Sequence, residues 1–169
     1  MAQPPTSPLF APNQDAEPQP ARQPGWGLDS LPRDGGAYAL VMDLDRRLAL
    51  PIGRQQVHSL APGRYLYAGS AYGPGGIRAR VARHARRDKS LRWHVDHLTV
   101  AVGVSWVVAL PGGRECDIVA TLIRDASIGQ PIPGFGASDC RRCRAHLLAL
   151  PKTFDAARLR AQLSQAFNL

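Results

Sequence analysis

The chain has 169 residues, of which 44% are apolar, and a formal net charge of +8. That suffices for one domain of ordinary size with a real core, plus a tail. No apolar run approaches a membrane span, and no basic region followed by an apolar stretch marks a secretion signal, so a cytoplasmic protein without membrane association is expected. Its three cysteines cannot all pair with one another, which makes reduced thiols the default.

Residues 1–34 hold eight of the fifteen prolines, with Gln, Ala and Ser between them. Such a stretch buries too little apolar surface to order itself, so it is expected to be a disordered arm, with the domain spanning 35–150 and a closing helix over 151–169. Residues 38–42 and 48–52 are apolar segments separated by Asp43-Leu44-Asp45-Arg46-Arg47, which predicts a hairpin. A weaker strand is expected at 57–60, and Ala61-Pro62-Gly63 marks a turn into a strand over 64–68. Alternation there puts Tyr65 and Tyr67 on one face and Leu66 and Ala68 on the other.

Gly73-Pro74-Gly75-Gly76 breaks the chain before a helix of about three turns. On it Ile77, Val81 and Ala85 recur at helical spacing as a buried stripe, and Arg80, His84 and Arg87 form a neighbouring stripe able to face one site. Ser90 is placed to cap a second helix with Leu91, Val95 and Leu98 inward. A strand over 104–110 ends at Pro111-Gly112-Gly113. The third helix then carries Glu115 in its first turn and buries Ile118, Leu122 and Ile123. Residues 127–145 read as an irregular loop and 146–150 as an edge strand. The closing helix, 154–167, is capped by Thr153 and buries Leu159, Leu163 and Phe167. The sum is a mixed α+β domain: a small antiparallel sheet flanked by helices.

Charge is concentrated as well. Residues 72–94 carry seven Lys/Arg against a single acid, Asp88, which suits a polyanionic partner through counterion release, or else a solvated helical face. Cys140, Cys143 and His146, with Cys116 distant in sequence, supply the donor types of a four-coordinate zinc site. Reduced core or surface thiols are the alternative. Trp93 and His94 are candidates to stack on nucleic acid, or to anchor the core.

Gly36-Ala37-Tyr38 and Tyr67-Ala68-Gly69, followed by Ser70-Ala71, then Ile77-Arg78-Ala79-Arg80-Val81, His84 and Glu115, together resemble the GIY-YIG nuclease superfamily. Longer stretches are similar to an uncharacterised branch sometimes fused to endonuclease III-type DNA glycosylases: residues 65–71, Arg92-Trp93-His94-Val95-Asp96, Pro133-Gly134-Phe135-Gly136 and Ser138-Asp139-Cys140. The isoleucines of both naming motifs are alanine in this chain, at positions that point into the core.

The resemblance implies a metal-dependent endonuclease that hydrolyses DNA phosphodiesters, in repair or processing. Tyr38, Tyr67, Arg80, His84 and Glu115 would be catalytic, and Glu115 would hold one Mg²⁺ or Mn²⁺. Arg78, Arg83, Arg87, Lys89, Arg92 and His94 would contact the nucleic acid. A free phenol ionises near about 10, so a tyrosine acting as base requires a lowered pKa, which Arg80 and the metal would have to supply. A nucleic-acid-binding module of the same fold without turnover, and a partner-docking domain with a solvating basic face, are the other functions considered.

Overall fold

The computed structural model describes residues 26–53 and 56–167. Residues 1–25, the greater part of the expected arm, lie outside the described residues. Six strands and four α-helices follow in order: β1 (Gly36–Leu44), β2 (Leu48–Pro51), β3 (Val57–Leu60), β4 (Gly63–Ser70), α1 (Gly76–Ala85), α2 (His94–Val102), β5 (Trp106–Pro111), α3 (Glu115–Leu122), β6 (Leu147–Leu150) and α4 (Ala156–Phe167). The class is α+β, as expected.

The main sheet is antiparallel, with the order β5-β1-β4-β6. Both of its faces are covered, which is why β1 is apolar at nearly every position instead of alternating. Tyr38, Leu40 and Met42 join Ile77 and Val81 of α1 and Val95 and Leu98 of α2 in one core. Ala37, Ala39, Val41, Leu66 and Ala68 point the other way, onto Ile118 and Leu122 of α3 and Leu159 and Leu163 of α4. Tyr65 and Tyr67 thus share the α1/α2 face, as their alternation predicts.

Several local expectations are corrected. The hairpin between the first two strands does not form: β1 pairs with β4 on one side and β5 on the other, leaving no free edge. β2 pairs with β3 instead, in a separate two-stranded sheet. On α1, Ala85 is exposed and His84 takes the buried position, seven residues after Ile77. Leu91 and Ile123 are exposed, and α2 starts at His94, where Asp96 Oδ2 accepts the Trp93 N–H at 3.0 Å, so Ser90 caps nothing. Asp155, not Thr153, caps α4, its carboxylate accepting the Arg158 N–H at 2.7 Å.

Residues 26–34, assigned from composition to the arm, are packed on the domain. Leu31 is buried, and the carbonyls of Pro32 and Asp34 accept the N–H groups of Arg78 and Ile77 at 3.0 Å each. Those amides are among the donors that the first turn of a helix leaves without an intrahelical partner. Composition misjudged this stretch because its contribution is made largely by backbone carbonyls.

Candidate active site

At the end of the sheet where β1 begins and β4 ends, an open cleft of about 670 Å³ is lined by Tyr38, Tyr67, Arg80, His84 and Glu115. These are the five residues expected to be catalytic, contributed by β1, β4, α1 and α3. Strand register accounts for the pairing of the naming motifs. Tyr38 lies opposite Gly69, and a Cβ at Gly69 would sit 2.4 Å from the Tyr38 phenol carbon and oxygen, so the phenol occupies the space that a side chain would take. Gly136 does the same for the other phenol: its φ of +66° favours glycine, and a Cβ there would lie 2.5 Å from the Tyr67 ring. The loop between α3 and β6 is thereby pressed against Tyr67.

Tyr38 and His84 are hydrogen-bonded, Oη to Nε2, at 2.8 Å in a buried setting. On the far side of the ring, Nδ1 has no hydrogen-bond partner among the described residues but lies 3.6 Å from Oδ1 of Asp96. A carboxylate at that position favours the tautomer with hydrogen on Nδ1, which leaves Nε2 to accept the Tyr38 hydrogen. Burial, and then the Lys89 ammonium, hold the imidazole down to about 3, so it is neutral at ordinary pH.

Asp96 is fully buried and is the hub beneath the cleft. Arg83 grips it with two hydrogen bonds of 2.9 and 3.0 Å, Lys89 lies 3.5 Å away, and the N–H groups of Arg92 and Trp93 donate to it at 2.8 and 3.0 Å. Burial alone would raise its pKa, but these donors outweigh it and keep the carboxyl far below its usual range. Spacing gave no sign of this role, since Asp96 is on α2 while its partners lie on α1 and in the segment that joins the two helices. The only sequence signal was the position of Asp96 three residues after the Trp93 N-cap.

The phenols do not behave as expected. Burial raises both; at Tyr38 ionisation of the neighbouring Tyr67 would raise it further, and at Tyr67 the Glu115 carboxylate does so. Tyr38 stands well above its ordinary value and Tyr67 is pushed up to about 12. Arg80 pulls in the right direction and is outweighed.

The basic residues divide into two groups. Arg80 and Arg92 line the cleft, as does His94, whose Nδ1 accepts the Gly136 N–H at 3.2 Å. Arg80 lies 4.7 Å above the Trp93 ring, which Arg83 flanks at 4.0 Å, and among the described residues Arg80 is paired with no carboxylate. The other expected nucleic-acid contacts are corrected. Arg78 donates to the carbonyls of Asp29 and Leu31, Arg83 is committed to Asp96, and the side chain of Lys89 is buried, donating to the His84 carbonyl and Thr99 hydroxyl at 2.7 Å each. Arg87 follows the end of α1 and lies beside Gly103, outside the cleft, because the helical spacing that aligned it with Arg80 stops at Ala85. Arg141 and Arg142, between two cysteines, line the cleft and were missed, as was Asp139.

Two sets of metal donors are present. Glu115, half-buried at the start of α3, presents a single carboxylate to the cleft, which suits a Mg²⁺ that keeps several of its waters. Separately, Cys116, Cys140, Cys143 and His146 bring one donor atom each to within 4.8 Å of one another. Burial raises the Cys116 thiol. At Cys140 burial acts in the same sense, but the N–H groups of Arg142 and Cys143, at 3.4 and 3.3 Å from the sulfur, lower it overall.

Fold and cleft together define an α+β domain with a phenol–imidazole–carboxylate site at one end of its sheet. The chain belongs to the family described as Domain of unknown function DUF123, which matches residues 37–169. No curated protein and no solved structure matches it. Among the described residues, no helix is long and apolar enough to cross a membrane.

Proposed function

We propose that this protein is a metal-dependent DNA endonuclease of the GIY-YIG type, acting in the cytoplasm on DNA undergoing repair or processing, and that its family is the branch sometimes joined to endonuclease III-type glycosylases. One observation carries the proposal. Tyr38, Tyr67, Arg80, His84 and Glu115, scattered over 78 positions of the sequence (115 − 38 + 1), line a single cleft in which Tyr38 and His84 are already hydrogen-bonded.

With both phenols raised, a free phenolate is not the base. The geometry supports a coupled transfer instead. As the water oxygen bonds to phosphorus and an ester P–O bond breaks, the water proton passes to the Tyr38 oxygen, the phenolic hydrogen moves to His84 Nε2, and the departing ester oxygen takes a proton from solvent in the open cleft. No negative charge then rests on the buried phenol; the imidazolium is only a passing carrier, since burial and Lys89 disfavour it, and Asp96 Oδ1, 3.6 Å from Nδ1, offsets part of that cost. Arg80, without a carboxylate partner, is free to neutralise the phosphoryl oxygens. A Mg²⁺ held by Glu115 would supply Lewis-acid stabilisation of the same oxygens. Trp93 and Arg92 on the cleft wall offer a stacking surface and a positioning charge.

The alternative is a nucleic-acid-binding module of the same fold without turnover, and the raised phenols favour it. Branched, nicked and single-stranded DNA incubated with the protein in Mg²⁺ or in chelator separates the two. Cleavage that needs Mg²⁺ supports the nuclease. Tight, salt-dependent binding of every substrate with none cut supports the module.

A further inference from the structure

We propose that Cys116, Cys140, Cys143 and His146 form a tetrahedral Zn²⁺ site with no open position, which fastens one wall of the cleft. The donor set comes first. Three sulfurs and an imidazole nitrogen are soft ligands that select zinc over Mg²⁺, so this site and Glu115 call for different metals.

Spacing agrees. A tetrahedral zinc with Zn–S bonds of about 2.3 Å places its sulfurs about 3.8 Å apart. Cys116 Sγ is 3.5 Å from Cys140 Sγ and 4.0 Å from His146 Nε2, and the whole set lies within 4.8 Å. The chain around the first loop cysteine is turned to suit a thiolate, with the N–H groups of Arg142 and Cys143 aimed at the Cys140 sulfur. His146 is buried, and its backbone N–H donates to the Phe135 carbonyl at 2.8 Å, which holds in place the segment that carries the imidazole. A Cys116–Cys140 disulfide would leave Cys143 and His146 converging on nothing.

The connectivity gives the site its role. Cys116 lies in the first turn of α3, Cys140 and Cys143 in the long loop, and His146 immediately before β6. A metal there ties the long loop to α3 and to the start of β6, both of which the sheet already holds, where the loop's own backbone bonds are short turns, two links across the loop (Gly134 to Arg144 and His146 to Phe135) and the bridge at Gly129. Its neighbours along the chain are Glu115 next to Cys116, Arg141 and Arg142 between the loop cysteines, and Gly136 against Tyr67. Four protein ligands leave no place for water or substrate, so the zinc is structural.

The test is metal content of the full chain purified under reducing conditions without chelator, with Co²⁺ then substituted for the native metal. About one zinc per chain, and the intense visible bands of a tetrahedral, sulfur-rich cobalt site, are expected. Cys143→Ala should lose most of the metal, His58→Asn, on β3 and outside the cluster, should retain it, and a strong chelator should lower the melting temperature of the native chain. A folded wild-type chain with little zinc and three titratable thiols would overturn the proposal, as would a Cys116–Cys140 disulfide or an octahedral cobalt spectrum. None of these readouts depends on cleavage, so the zinc site and the nuclease can fail separately.

Discussion

His84 should make the protein acid-labile well above the pH at which carboxylates titrate. An imidazole in the unfolded chain takes up its proton near 6.5, whereas buried His84 resists protonation down to about 3. Between those values the unfolded state binds the extra proton, so stability is full above pH 6.5 and falls as pH is lowered towards 3. At pH 4, about 2.5 pH units below the ordinary value, the loss from this residue alone is about 3 kcal/mol. That is a large part of the roughly 5–15 kcal/mol that holds a domain folded. Denaturant unfolding at pH 7 and pH 4 should be compared for the wild type and for His84→Gln, whose side chain is neutral throughout and can still accept the Tyr38 hydroxyl. His94 and His146, also lowered by burial, contribute equally to both proteins and drop out of the difference. The wild type should lose about 3 kcal/mol more than the variant on going to pH 4. Equal losses would show that His84 is not held neutral between Tyr38 and Asp96.

Further outcomes follow from the same geometry. In single-turnover cleavage at saturating enzyme, Arg80→Ala should lose on the order of 10²–10³ in rate, whereas Arg87→Ala, outside the cleft, should match the wild type. Equal effects would favour a diffuse basic surface. Asp96→Asn leaves Arg83 and the buried Lys89 without their counter-charge, so urea unfolding should record a loss of about 3–5 kcal/mol, and a loss under about 1 kcal/mol would deny Asp96 its place as the hub. Removing residues 1–34 takes away Leu31 and the carbonyls that cap α1. Calorimetry should show a fall of about 5–10 °C, and an unchanged melting temperature would mean that the segment does not pack.

What the sequence disclosed and what it hid follow from the range of the interactions involved. Residue alternation along β4 was enough to sort Tyr65 and Tyr67 from Leu66 and Ala68, because a strand's faces depend only on neighbours. Strand pairing depends on partners far away, so the hairpin inferred from the apolar segments at 38–42 and 48–52 was wrong. The five cleft residues could be named because short motifs carry them. Their environment could not, since the burial that raises Tyr38 and Tyr67 comes from α1, α2 and the loop through Gly136. Arg83, Lys89 and Arg92 looked alike as basic residues. Only the fold distinguishes two that neutralise Asp96 from one that reaches the cleft. The cysteine cluster was half legible: Cys140, Cys143 and His146 are close in sequence, and Cys116 joins them only through the packing of α3.

The most direct test of the cleft as a phosphodiester-cleaving site is single-turnover cleavage by Glu115→Gln in Mg²⁺, with DNA binding measured on the same preparation. The substitution keeps the size of the side chain and removes the one charge suited to holding the metal. Binding close to that of the wild type, with cleavage abolished, is the predicted result. Undiminished cleavage would contradict the assignment of Glu115 and, with it, of the cleft.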